Sequence, residues 1–202
     1  MLKLDHIALG TNDLIASSKT LSESLGVLPF GGGEHDLFGT HNKLWRIETP
    51  SYPIYLELIA ANPNAEPKRP RWFGLGEPLD GDQIKLLTFI ASTTNINKSA
   101  SAPIFDELEV IDVSRGELRW KFGLTKDGTL LSNGALPYLI EWQGSFHPLD
   151  GVEPQGLSLT FFAGTELGSL NLDLPIGVSD SADYKLKIGL CTARNEFIEF
   201  LR

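Results

Sequence analysis

Two apolar stretches of this chain carry the same awkward combination. Pro53-Ile-Tyr-Leu-Glu57 and Pro137-Tyr-Leu-Ile-Glu141 each place an acid after a proline inside a run of β-favouring residues. A carboxylate buried alone among aliphatic side chains is penalised by several kcal/mol, so each acid needs a cation or hydrogen-bond donors beside it. Finding the problem twice points to one unit used twice, with both acids answered by a shared solution.

The surrounding pattern gives that unit a shape. Residues 4–11 are short, apolar and β-compatible; Asn12 and Asp13 offer a helix N-cap, apolar residues recur at Leu14, Leu21 and Leu25, and Gly26 is a helix stop. Strands are expected at 28–31, 43–48 and 54–60, separated by Gly-rich and Pro-containing turns. The first module, residues 1–61, is therefore βαβββ. Residues 62–82 are polar and Pro-rich and read as a linker or pocket-edge loop. Residues 83–150 repeat the pattern in degraded form: a strand at 84–92, a short helix ending near 106–109, a strand at 117–124 and a last strand at 137–142. Residues 151–202 hold further strand-like runs and are too short to bury a core alone, so they are expected to pack on the second half as a partial module of one domain. The expected class is α+β: paired βαβββ modules forming a curled, cup-shaped mixed sheet with helices outside.

Charge and composition remove several partners. With 202 residues, 42% hydrophobic and 21% charged, the chain has material for a real core. A net charge of -9 repels phosphate backbones and no basic cluster reverses it, which argues against nucleic acid. No apolar run approaches the ~20 residues that span a bilayer, and the opening segment lacks a cleavage-site pattern, so a cytoplasmic protein without a membrane partner is expected. The single cysteine, Cys191, lies in an apolar run and reads as inert core.

In a strand, alternate side chains share a face. Leu4, His6 and Ala8 then fall on one side with Asp5, Ile7 and Leu9 on the other, and Tyr55, Glu57 and Ile59 share a face of the fourth strand. His6, Glu57 and Glu141 suit a divalent ion with open positions, Glu57 and Glu141 doubling as proton-moving groups; they also suit hydrogen-bonded polar positions in a pocket without metal. Thr88, which aligns with His6 in the second half, is a poor ligand. His35, Thr40 and Asn42 follow a glycine run that could bring polar groups over the cup mouth, or simply form a hairpin connection. Trp45, Tyr55, Trp120 and Trp142 could wall a pocket or fill a core. Arg46, Arg115 and Arg119 could grip a carboxylate or face solvent. His41 and His147 read as loop residues, the latter near the rim.

The stretch Gly32-Gly-Glu-His35-Asp-Leu-Phe-Gly39-Thr40-His-Asn42-Lys-Leu44 followed by Tyr55-Leu-Glu57-Leu resembles the signature of the glyoxalase-like domain within the vicinal oxygen chelate superfamily, which also holds bleomycin-resistance proteins and extradiol dioxygenases. So do Leu4-Asp-His6-Ile, Leu118-Arg-Trp120, Leu136-Pro-Tyr-Leu-Ile-Glu-Trp142 and His147-Pro148. The resemblance implies paired βαβββ modules around a pocket. It places metal ligands on the first and last strands of each module, here His6, Glu57, Thr88 and Glu141, and it suggests Zn, Ni, Mn or Fe. Two functions follow from it: a metal-dependent lyase, isomerase or dioxygenase acting on a small oxygen-rich substrate with Glu57 and Glu141 catalytic, or a metal-free protein that sequesters a small ligand. His35, Thr40, Asn42, Thr88, Trp120 and Trp142 would contact that molecule. Two modules in one chain complete a cup, so a monomer or a homodimer is expected.

Overall fold

The computed structural model describes residues 1–81, 83–176, 178–180 and 183–202, with backbone alone for 178–180. Asp82, at the end of the expected linker, lies outside the described residues. Strand β1 (Leu2–Gly10) leads into helix α1 (Leu14–Leu25) and then β2 (Gly31–His35), β3 (Thr40–Ile47) and β4 (Ile54–Ala61). The second module follows as β5 (Lys85–Ser92), the short helix α2 (Ile96–Ala100), β6 (Leu108–Arg115), β7 (Leu118–Thr125) and β8 (Tyr138–Gln143). These strands form one curled sheet in the order β2-β3-β4-β1-β5-β8-β7-β6. Within each half the strand after the helix lies outermost and the opening strand innermost, so the halves meet at the antiparallel β1–β5 pair.

The fold is the expected α+β cup, with local differences. Helix α1 is capped where the sequence placed its start: the Asp13 carboxylate accepts from the Ile15 and Ala16 N–H groups, and Gly26 closes the helix at φ 75°. Asn12 performs another task, exchanging two hydrogen bonds with Leu79 and fastening the loop after β4. The glycine run expected as a loop is strand β2, paired with β3 from Gly31↔Leu44 to His35↔Thr40. Strand β6, where no strand was expected, pairs with β7 along its length. Its sequence, LEVIDVSR, mixes apolar and charged residues on both faces, which is why no period-2 strand pattern marked it.

The last segment builds a second sheet, β11-β9-β12-β13, from β9 (Ser158–Gly164), β11 (Val178–Asp180), β12 (Leu186–Cys191) and β13 (Phe197–Leu201); β10 (Leu172–Asp173) instead joins β1 in parallel. Its Leu159, Phe162, Ile188 and Leu190 share one core with Leu4, Ile7 and Leu9 of β1, Leu56 and Leu58 of β4, the α1 leucines, and Leu86 and Phe89 of β5. It therefore covers the convex side of the first module and of β5, the opening strand of the second, and Arg202 bonds Leu86 and Asn133 of that second module. The reason is area: the convex faces of β1 and β4 are apolar throughout, and one helix cannot cover them.

Candidate active site

The concave face is apolar except at its centre. There His6, Glu57, Asn42, His35 and Arg115 line a small hollow with Tyr55, Trp72, Phe73, Trp120, Phe122 and Trp142. The hollow measures about 30 Å³, room for a water or two at the ~10–15 Å³ each requires.

A β-bulge sets its chemistry. Across β1 and β5 the register steps from Leu4↔Ala91 to His6↔Ile90, leaving Asp5 as the extra residue. A bulge breaks the alternation of faces, and Leu4 accordingly joins Ile7 and Leu9 in the convex core. Asp5 is thereby brought to the His6 side, correcting the simple alternation expected from sequence. The Asp5 Oδ1 lies 2.7 Å from His6 Nδ1, and Asp5 Oδ2 accepts from Trp142 Nε1 at 3.0 Å. His6 Nε2 faces Glu57 Oε2 at 3.6 Å, and Tyr55 stacks on the imidazole at 4.3 Å between centroids. The cluster is a carboxylate–imidazole–carboxylate line, with all three residues buried.

Burial alone would lower the His6 pKa, yet the hydrogen bonds and charges of Asp5 and Glu57 raise it above 6.5. Burial would raise Asp5, but His147 and His6 hold it well below the usual carboxylate range. Glu57 is likewise opposed by burial and lowered by the hydrogen bond and charge of His6, with help from Asn42. The line thus favours the charged form of each member, Asp5 and Glu57 as carboxylates and His6 as imidazolium.

A second network fixes the other wall. Asn42 donates from Nδ2 to Glu57 Oε1 at 2.5 Å, and its Oδ1 accepts from the Gly33 N–H and from Arg115 Nη1. Arg115 Nη1 also lies 2.9 Å from His35 Nε2, while His35 Nδ1 and Trp72 Nε1 both meet Thr40 Oγ1. Burial lowers the His35 pKa to about 3, with Arg115 contributing, so His35 is neutral and accepts from the guanidinium. The sequence-selected trio His35, Thr40 and Asn42 is thus assembled beside Glu57.

Other expectations are corrected. Glu141 lies between Ile140 and Trp142, which line the hollow, and it points to the opposite face. Its Oε2 accepts from the Ile96 N–H at the start of α2 and its Oε1 from Gln143. The cause is register. Glu57 pairs with Ala8, two residues after His6; two residues after Thr88 stands Ile90, which pairs with Tyr138. Tyr138, not Glu141, is the counterpart of Glu57, and its hydroxyl donates to the Thr129 carbonyl. Thr88 is buried and donates to the Leu136 carbonyl. Of the four positions that the superfamily would use for a metal, only His6 and Glu57 present donors to the hollow, and among the described residues no group of three or more His, Cys, Asp or Glu is placed to hold a metal ion. The four-position set does not fit.

Trp120 and Trp142 line the hollow as expected, whereas Trp45 faces the convex core and donates to the Val27 carbonyl. Arg46 pairs with Glu48 and Arg119 bonds local carbonyls. His147 sits at the rim, 5.0 Å from Trp142 and 3.8 Å from Asp5 Oδ2. Asp5, Trp72 and Phe73 were not selected from sequence. The two aromatics come from the loop read as linker, where a Trp-Phe pair amid polar residues was the available signal. Phe73 holds φ 58°, a strained conformation for a bulky residue that packing between Trp72 and Tyr138 maintains.

Comparison with known proteins agrees with this architecture. The chain matches the family described as glyoxalase-like domain over residues 4–166. A variant of Streptomyces coelicolor methylmalonyl-CoA epimerase, in complex with 2-nitronate-propionyl-CoA, superposes at a TM-score of 0.50 and 20% identity, covering 73% of this chain and 100% of the epimerase. A hypothetical protein from Staphylococcus aureus superposes at 0.55 and 16% identity over 100% of this chain and 86% of its own. No curated protein sequence matches the chain. Among the described residues no helix is long and apolar enough to cross a membrane.

Proposed function

Because the chain belongs to the glyoxalase-like domain family, we propose that it is an isomerase-type enzyme moving a proton on a small oxygen-rich substrate at the Asp5–His6–Glu57 line. The observation that carries this is the 3.6 Å approach of His6 Nε2 to the buried Glu57 carboxylate, with Asp5 fixing the other ring nitrogen. Glu57 takes a proton from carbon beside a carbonyl, and the electron pair moves onto the carbonyl oxygen. His6 donates its Nε2 proton to that oxygen, and Asp5 keeps the neutral ring oriented through Nδ1–H. Once His6 gives up its charge, the influence that holds Glu57 low is gone and its affinity for the substrate proton rises. Return of the Glu57 proton to either face of the same carbon, or to the neighbouring carbon, with His6 taking an oxygen-bound proton back as the carbonyl re-forms, completes an epimerisation or isomerisation and restores both groups. The fold-sharing epimerases carry out such chemistry by name, which is consistent with this assignment.

The test is solvent exchange. Incubated in D2O with a panel of 2-hydroxy ketones, 2-substituted acids and acyl thioesters, the protein is expected to exchange a carbon-bound proton of at least one compound, followed by NMR. Glu57→Gln should slow this by about 100-fold or more, the scale typical of a general base. Panel-wide absence of exchange would overturn the assignment. The aromatic wall of Trp72, Phe73, Trp120 and Trp142 favours a second reading, a sequestering protein, which predicts tight ligand quenching of tryptophan fluorescence with chelator present and no exchange.

A further inference from the structure

Arg115 ends β6, at one extreme edge of the curled sheet, and reaches β2 at the other extreme. A Cβ added to Gly33 would stand 3.0 Å from Arg115 Cδ and 3.2 Å from Nε, so glycine is what lets the side chain lie across the strand. We propose that Arg115 makes the hollow selective for a small carboxylate, gripping the acid across the cup mouth while the reacting carbon faces Glu57. The assignment rests on the small-molecule reading of this site and names the class of compound it takes.

Two features carry it. Arg46, Arg69 and Arg194 each pair with a glutamate, whereas Arg71, Arg119, Arg202 and Arg115 bond neutral acceptors, and of these four Arg115 is the one that lines the hollow, bonded to His35 Nε2 and Asn42 Oδ1. Its cationic charge is therefore left without a carboxylate partner among the described residues. Both of those bonds use Nη1, so Nε and Nη2, the edge that matches a carboxylate with two parallel hydrogen bonds, have no bond to the described residues. Asn42 meanwhile stands between Arg115 and Glu57, accepting from one and donating to the other, which keeps the cation from being consumed by the catalytic carboxylate. The charges around the hollow are Asp5, Glu57, His6 and Arg115, two of each sign when His6 is protonated. A bound acid pairs with the guanidinium and leaves the Asp5–His6–Glu57 line with its own single net negative charge.

The experiment compares pyruvate, lactate and malonate with their amides by quenching of tryptophan fluorescence at constant ionic strength. The wild type should bind at least one acid ten-fold or more tightly than its amide. Arg115→Gln should remove the preference, and Arg115→Lys should retain charge but lose most of it, because an ammonium lacks the fork. Gly33→Ala, which pushes the guanidinium aside without touching His6 or Glu57, should weaken acid binding in the same direction. Equal binding of acid and amide, an undiminished preference in Arg115→Gln, or no acid bound at all would overturn the proposal. Acids that bind through Arg115 without exchanging deuterium would leave it standing and defeat the proton-transfer reading; exchange of amides as fast as acids would do the reverse.

Discussion

Two buried histidines a few ångströms of hydrogen-bond chain apart are pushed in opposite directions. His6 is raised above 6.5 by Asp5 and Glu57 against its burial, and His35 is lowered to about 3 by burial and by Arg115. A group with a raised folded pKa stabilises fully below its unfolded value and loses that contribution as pH rises through the folded value; the stabilisation from His6 therefore fades as pH rises above 6.5. His35 works the other way. Between 6.5 and about 3 the unfolded chain takes up a proton that the folded site refuses, which costs on the order of 5 kcal/mol by the acid end. Asp5 and Glu57, both lowered, add to the loss once pH falls below the ordinary carboxylate range. Stability is expected to peak near pH 6.5, and NMR should find one buried histidine titrating above that value and one still neutral at pH 5. In urea melts against pH, His35→Gln should flatten the acid limb and leave the alkaline limb in place. A monotonic rise of stability from pH 5 to 8 would contradict the protonated His6.

At the scale of strands and helices, the difference between Glu57 and Glu141 is one of register, and it is open to test. Glu141→Gln should leave exchange activity within two-fold and shift stability by less than about 1 kcal/mol, since an amide oxygen still accepts from Ile96. Glu57→Gln removes the base. Equal loss of activity in both would restore a shared site. The contrast shows what the sequence could carry. Residues of one continuous strand keep their faces by local alternation, so the Tyr55–Glu57–Ile59 face and the capped start of α1 were readable. The partner of Glu57 in the second half depends on how β5 pairs with β8, a long-range choice that no proline marks; Pro53 and Pro137 suggested an alignment three residues out of step. The bulge at Asp5 is of the same kind, because an extra residue is defined only against the opposite strand. Arg115 was recognisable as a candidate and its role was not, since its partners His35 and Asn42 meet it only when the sheet curls.

For the whole molecule, the decisive feature is that the concave and convex sides of one sheet are stabilised by different partners. The hollow lies on one side, and the second sheet covers the other, with Phe162 set edge-on to Phe89 of β5 at 5.2 Å. Phe89 immediately follows Thr88 on the strand at the junction of the two modules, so the C-terminal sheet supports the centre of the cup from behind. Shared burial of Leu4, Ile7, Leu56 and Phe89 with Phe162, Ile188 and Leu190 leaves the second sheet without a core of its own, while the cup packs a further core on its concave side. Unfolding should then be a single transition. Tryptophan fluorescence, which reports the cup through Trp72, Trp120 and Trp142, and far-UV circular dichroism, to which the second sheet contributes, should give coincident urea curves. Phe162→Ala leaves a cavity in the joint core and should lower stability by about 3–5 kcal/mol in both signals equally, whereas Arg115→Gln at the mouth should lower it by no more than about 1 kcal/mol. A Phe162→Ala protein whose circular dichroism melts early while its tryptophan signal holds would mean that the C-terminal sheet is an independent unit and that the cup stands without it.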